Sequence, residues 1–386
     1  MTPSFDEIRF RASSSVELRR LEELDAAQRA PFLELQRDPS FHGLFIPRPP
    51  LTMSVKSVER QTAELFLSLA TPARLDRALL DDAGYIGDVV DLVLDGFLEI
   101  ESGDGFISGA DAFPIVCSGL APLEIRDVAA RLSRDALLHA QDLETSDADE
   151  LTMSLYRYHR IPMTPFWKAR LANRDAVRAH LGANRGPLRL LLEREWTDLS
   201  PEKPSGWLTW SSKAQAPGEP DRVGAKLFVS PRPERIRDAF EIVVRVLSEF
   251  PGLAFKVGDD AMGLLRPDKL VVYFTTREQL GEVAAALRRE LAGCEAHGVP
   301  FTAGLDESGL LSWGVDPPKD DQPLSWMTTD SWRLWIVGLL GPALAIAKLA
   351  RGEAAVEPWR FAVERIRRAG VDPETWAPSP TLWSRP

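Results

Sequence analysis

A chain of 386 residues has room for two or three domains, and 44% hydrophobic with 27% charged residues is a folding composition, not a disordered one. Its 57 acidic against 46 basic side chains leave a formal net charge of -11. That field repels phosphate polymers and anionic lipid, so it argues against a nucleic-acid coat or a membrane-surface binder while allowing a local basic pocket.

Two cysteines, Cys117 and Cys294, are too few for a disulfide framework and suit a reducing cytoplasm. The start, MTPSFDEIRFRASSS, lacks the apolar run of an export signal, so the expected location is cytoplasmic. All eleven tryptophans lie from Trp167 onward, which suggests at least two differently built regions.

Residues 1–54 read as a helical segment and linker, with an amphipathic helix around Val16–Gln36 and a proline-marked loop at Ile46–Leu51. Residues 55–118 have the outline of a winged helix. Helices over Glu59–Leu69, Pro72–Asp82 and Ile86–Leu94 precede GFLEIESGDGFISG, two short strands about the turn Ser102-Gly103-Asp104-Gly105. A DNA-reading third helix needs cations, and this one carries Asp88, Asp91 and Asp95 with no Lys or Arg. A purely structural module and a peptide binder, taking up an extended segment on the wing's edge strand, both fit.

Residues 119–200 read as helical, with Ile125, Val128, Leu132 and Leu138 along Leu123–Asp142. SPEKPSGW, from Ser200, is a linker or long turn. Residues 201–386 alternate strands and helices: strands at Gly206–Ser211, Ala225–Val229, Ala254–Val257 and Lys269–Phe274, and helices at Ile236–Phe250 and Glu278–Gly293. Leu334–Ala347 is uncharged but shorter than the roughly 20 residues of a membrane span and is interrupted by Gly338, Gly341 and Pro342, so it reads as a core helix. Trp326, Trp332 and Trp335 suit a peptide groove and core packing equally. The expected fold class is α+β: a winged-helix-like module, a helical middle region and a C-terminal mixed-sheet domain.

There is no G-x-S-x-G, P-loop, dinucleotide or kinase motif, and the five histidines have no metal-ligand spacing; neither metal nor cofactor is expected. The unusual feature is cations on apolar strands. Lys226 lies inside AKLFV, Lys256 inside AFKV, Lys269 begins KLVVYF, and Arg266 precedes it in the turn RPDK. Clustered cations imply an anion, most simply a phosphate, and crowding lowers a lysine's pKa toward that of a base. Edge-strand lysines that discourage aggregation are the alternative.

GAKLFVSP, a helix, AFKVG and then RPDKLVVYF together resemble the core of the phosphothreonine lyase family, over about residues 205–340. That family includes type III secreted effector lyases and the lyase domain of class III lanthipeptide synthetases, and a similar core occurs in class V lanthipeptide and thioamitide gene sets. The resemblance implies β-elimination of phosphate from phosphoserine or phosphothreonine. Lys226 would be the base, Lys256, Arg266 and Arg333 the phosphate holders, and Tyr273 a positioning group. The family's general-acid histidine corresponds here to Phe228, so His159 is the candidate acid. The implied role is maturation of a ribosomal precursor peptide, as a lyase or a cyclase derived from one, with a separate kinase. The alternative is a non-catalytic phosphopeptide- or leader-binding partner of a kinase and lyase complex.

Overall fold

The computed structural model describes residues 5–48, 55–76, 82–117, 123–200, 206–214, 224–319, 324–325, 329–350, 352, 356–380 and 382. The first elements are β1 (Phe10–Ala12), β2 (Val16–Arg19), the short α1 (Ala26–Arg29), β3 (Phe41–Pro47), β4 (Lys56–Glu59), α2 (Arg60–Ser68), α3 (Ala83–Leu94), β5 (Leu98–Ser102), β6 (Gly105–Ile107) and α4 (Gly109–Val116). They form two three-stranded sheets, ordered β1-β5-β6 and β2-β3-β4.

The helix expected around Val16–Gln36 is corrected: Val16–Arg19 pairs with β3, and only short helical turns follow, through Arg37. The hairpin and the third helix stand where the sequence placed them. No helix forms over Pro72–Asp76, where Ala73 instead bridges Phe10; the rest of that expected helix, like Trp326 and part of the SPEKPSGW turn, lies outside the described residues.

The middle region supplies α5 (Val128–Asp142), α6 (Ala148–Arg157), α7 (Pro165–Arg170), α8 (Arg174–His180) and α9 (Gly186–Glu195). Asp127, Asp147, Thr164 and Asn173 cap the first four of these, each accepting a backbone N–H near the helix start.

A seven-stranded sheet dominates the C-terminal half. Its strands are β7 (Trp196–Asp198), β8 (Trp207–Ser212), β9 (Ala225–Val229), β10 (Ala254–Gly258), β11 (Leu270–Phe274), β12 (Ala303–Gly304) and β13 (Leu311–Val315), in the order β12-β13-β9-β11-β10-β8-β7. Every pairing is antiparallel, so the expected mixed sheet is an antiparallel one, and the α+β class stands. On one face pack α10 (Ile236–Leu247) and α12 (Arg277–Glu290); between them comes the short α11 (Ala261–Leu264). Helix α10 has apolar side chains three and four apart, and Ile236, Phe240, Val243, Val244 and Leu247 are all fully buried against Leu227, Val229, Phe255 and Trp210 of the sheet.

The opposite face is approached by α6 and by α13 (Trp332–Lys348), and α14 (Pro358–Arg368) follows. Helix α13 runs unbroken past Gly338, Gly341 and Pro342 and is a core helix: Trp332 is fully buried and Trp335 nearly so, which places both in the packing and not in an open groove. Gly341 lets α13 approach α6 closely, since a Cβ there would lie 2.8 Å from the Ala148 carbonyl oxygen. None of the helices among the described residues is long and apolar enough to cross a membrane.

Candidate functional site

Strand register brings the cations together. Lys226 on β9 lies directly opposite Tyr273 on β11, and Lys256 on β10 lies opposite Val271 on β11 and Thr209 on β8. Side chains alternate along a strand, so Lys226, Phe228, Val271, Tyr273, Lys256 and Trp207 share the face away from α10 and α12.

Aromatic rings mark the common centre. Lys226 Nζ sits 5.8 Å and Lys256 Nζ 5.3 Å from the centroid of the Tyr273 ring. Lys256 Nζ is also 4.4 Å from the Trp207 ring, and the Arg266 guanidinium carbon is 5.0 Å from that same ring. Arg266 and Arg333 flank Tyr156, at 5.4 and 5.2 Å. These separations are within cation–π range, and neighbouring rings repel water without neutralising charge.

Each cation has a different tether. Lys226 is almost wholly buried and is held by the Asp316 carboxylate and the Asp330 carbonyl oxygen. Arg266 forms a two-pronged contact with Asp268, Nε to Oδ1 at 2.6 Å and Nη2 to Oδ2 at 2.7 Å, and Nη2 also donates to the Tyr156 hydroxyl at 2.6 Å. Its Nη1 is left without a protein partner among the described residues.

Arg333 is 1% exposed and is turned toward groups of the protein itself. Its Nε donates to the Pro300 carbonyl and its Nη2 to the Tyr156 carbonyl, while Nη1 lies 3.0 Å from Asp268 Oδ1, close enough for an ion pair but not aligned as a hydrogen bond. Its place in the fold is a brace behind Arg266, and the phosphate-holding role expected of it would need this buried guanidinium to be reached.

Lys256 alone has no carboxylate or hydrogen-bond partner among the described residues. Burial, then repulsion from Lys226, brings its pKa down to about 8. Burial would raise the Asp268 carboxyl, but Arg333 and Arg266 together hold it far below the usual range, so it stays ionised. Burial, then Asp316 and Asp330, pushes the Tyr273 phenol well up, so it remains a hydrogen-bond donor at neutral pH.

Two sequence candidates sit elsewhere. His159 Nε2 bonds the His297 carbonyl at 2.8 Å, and His297 Nε2 bonds the His159 carbonyl at 2.7 Å. Both rings donate from Nε2, which leaves His297 Nδ1 to accept from Lys269 Nζ at 2.9 Å. Burial lowers His159, brings His297 to about 2 and Lys269 to about 7. This is a buried clasp joining the loops before α7 and β12, and it ties up the nitrogen that a proton donor at His159 needs. The proton-donor role expected of His159 would require that bond to be released. Phe228, at the family's histidine position, is 4% exposed in an apolar cluster with Val271 and Val299.

Sequence reasoning passed over Tyr156, Trp207, Asp268 and Arg160. The last is half-buried beside Arg266, and its buried Nε has no hydrogen-bond partner.

No protein-family model matches the chain, and no curated protein matches it. Among solved structures it is similar to the effector protein from Pseudomonas syringae pv. tomato strain DC3000, with a TM-score of 0.38 and 13% identity over 65% of this chain and 98% of that one. It is similar also to the effector protein from Pseudomonas syringae pv. syringae strain 61, with a TM-score of 0.37 and 12% identity over 66% of this chain and 99% of that one. Likeness at this level leaves the chemistry to be argued from the side chains.

Proposed function

We propose that the cation-bearing sheet face binds a phosphorylated serine or threonine of a peptide and eliminates its phosphate, in the maturation of a precursor peptide phosphorylated by a separate kinase. The observation that supports this best is the meeting of Lys226, Lys256 and Arg266 around Tyr273 and Trp207. Arg160, Lys256 and the spare Nη1 of Arg266 have unused hydrogen-bonding capacity for phosphate oxygens, and the Tyr273 phenol adds a neutral donor.

In the elimination, a lysine amine takes the α-proton, the Cα–H electron pair becomes the Cα–Cβ double bond, and the Cβ–O pair leaves with phosphate. Lys256 suits the base as the side chains stand, because it has no counter-ion and a pKa of about 8. Lys226, given that role by the family resemblance, would first have to part from Asp316. With Phe228 in place of an acid, phosphate departs as an anion stabilised by the fixed cations and is protonated by solvent.

The test is incubation with phosphoserine and phosphothreonine peptides, followed by mass spectrometry. Loss of phosphoric acid from the peptide is expected, and an unchanged peptide under conditions where it is bound would leave only the second reading. That second reading, a binding subunit that holds phosphopeptide for a partner enzyme, is favoured by the buried, apolar setting of Phe228.

A further inference from the structure

A cavity of about 870 Å³ lies between the N-terminal sheets and the last helices, and neither Lys226, Lys256 nor Arg266 lines it. One wall is β4, the outer strand of its three-stranded sheet; its second edge has no strand partner among the described residues. Along β4, Val58 turns inward and is buried, whereas Ser57 and Glu59 are exposed. Such an edge presents backbone N–H and C=O groups that another extended chain can complete.

The facing wall is α3, whose Asp88, Asp91 and Asp95 point the same way at helical spacing. Asp91 is met by Arg368 at 2.6 Å and by Arg365; Asp95 is met by Arg365 at 2.6 Å and by Lys56 at 3.0 Å. Asp88 and Glu59 are exposed and have no ion-pair or hydrogen-bond partner among the described residues. Negative charge is therefore left over at the mouth.

The floor is apolar and comes from α13. Leu339, Pro342 and Ile346 line it, and Val55 and Leu349 stand exposed at its rim, 38% and 54%. Pro342 has no N–H, so the carbonyl of Gly338, a residue that also lines the cavity, lacks its ordinary helical donor.

We propose that this groove takes a peptide segment in extended conformation, which adds a strand to β4, lays alternate apolar side chains on α13, and directs a Lys or Arg at Asp88 and Glu59. A strand edge alone would accept any chain; the uncompensated carboxylates and the apolar floor select a basic, alternately apolar one. This deepens the peptide-directed reading above. It moves the expected contact from the wing to β4.

The experiment is affinity selection of short random, unphosphorylated peptides on the full chain, so that its failure is distinct from failure of phosphate elimination. Recovered peptides should alternate apolar residues around a Lys or Arg and should slow backbone hydrogen exchange at Lys56–Glu59. Binding should weaken roughly tenfold in D88K and in L349E, both surface changes that leave the core intact. No enrichment, or enriched peptides indifferent to both substitutions, overturns the proposal. So does a dimer in sedimentation that both substitutions dissociate, because the groove would then be filled by a second copy of this chain.

Discussion

Lys256 differs from the other cations of the sheet face in what it touches: two aromatic rings, beside a second lysine, with no carboxylate in ion-pair contact among the described residues. A base must be unprotonated to act, so elimination should speed up as pH rises through about 8, where Lys256 gives up its proton. Lys256→Ala should lower the rate by about 10²–10⁴ and flatten that rising limb. Lys226→Ala should mainly weaken substrate binding and keep the limb; the reverse pattern, measured as pH–rate profiles, would exchange the two roles. A second residue-scale expectation concerns the clasp. His297 has a folded pKa of about 2, below the ordinary histidine value of about 6.5, so between those values the unfolded chain binds a proton that the folded one refuses. Its stability contribution is thus complete above about pH 6.5 and is lost as pH falls, by about 1.4 kcal/mol per unit. His297→Gln should be less stable near neutrality, yet lose about 2 kcal/mol less than the parent between about pH 7 and 5 in denaturant melts.

At the level of elements, the sheet and helix α13 meet through a missing side chain. Gly314 on β13 lies directly opposite Lys226, and a Cβ on it would stand 2.5 Å from Trp332 at the start of α13. Since Trp332 is fully buried, it has nowhere to retreat. Gly314→Ala should therefore cost about 1–3 kcal/mol in denaturant unfolding and disturb Lys226 as well. Much of this layer was legible in the sequence. The apolar stripe of α10, the hairpin after α3 and the strands β9, β10 and β11 were readable because each has a strong local period. The segment from Val16 was misread because four residues of strand followed by short helical turns present the same spacing of apolar side chains as one longer helix. Tyr156 and Trp207 were missed for another reason: their part in the site depends on strand register and on a contact across more than a hundred residues, and neither leaves a local mark.

Over the whole molecule the charge is -11, yet the sheet face concentrates Lys226, Lys256, Arg266 and Arg160. Long-range repulsion and local attraction respond differently to salt, because surface fields are screened beyond about 10 Å at 0.1 M while partly buried contacts are not. Inorganic phosphate should accordingly raise the melting temperature above that in chloride of equal ionic strength. At a hundredfold excess over its dissociation constant the gain is worth about 2.7 kcal/mol. Arg160→Met, which removes a cation with no side-chain hydrogen bond or ion pair among the described residues, should lose most of that gain; an equal response in parent and variant would place the anion elsewhere.

The tether between Lys226 and Asp316 bears on selectivity. Asp316 is about half exposed and serves as a tenant anion, already lodged where an incoming phosphate would be drawn. A newcomer is therefore judged by how much better than a carboxylate it satisfies the lysine. Singly charged ions have little advantage in that contest, whereas a phosphate dianion brings twice the charge and three oxygens. If the sheet face takes phosphopeptides as proposed, unphosphorylated acidic peptides, which offer only another carboxylate, should compete poorly against Asp316.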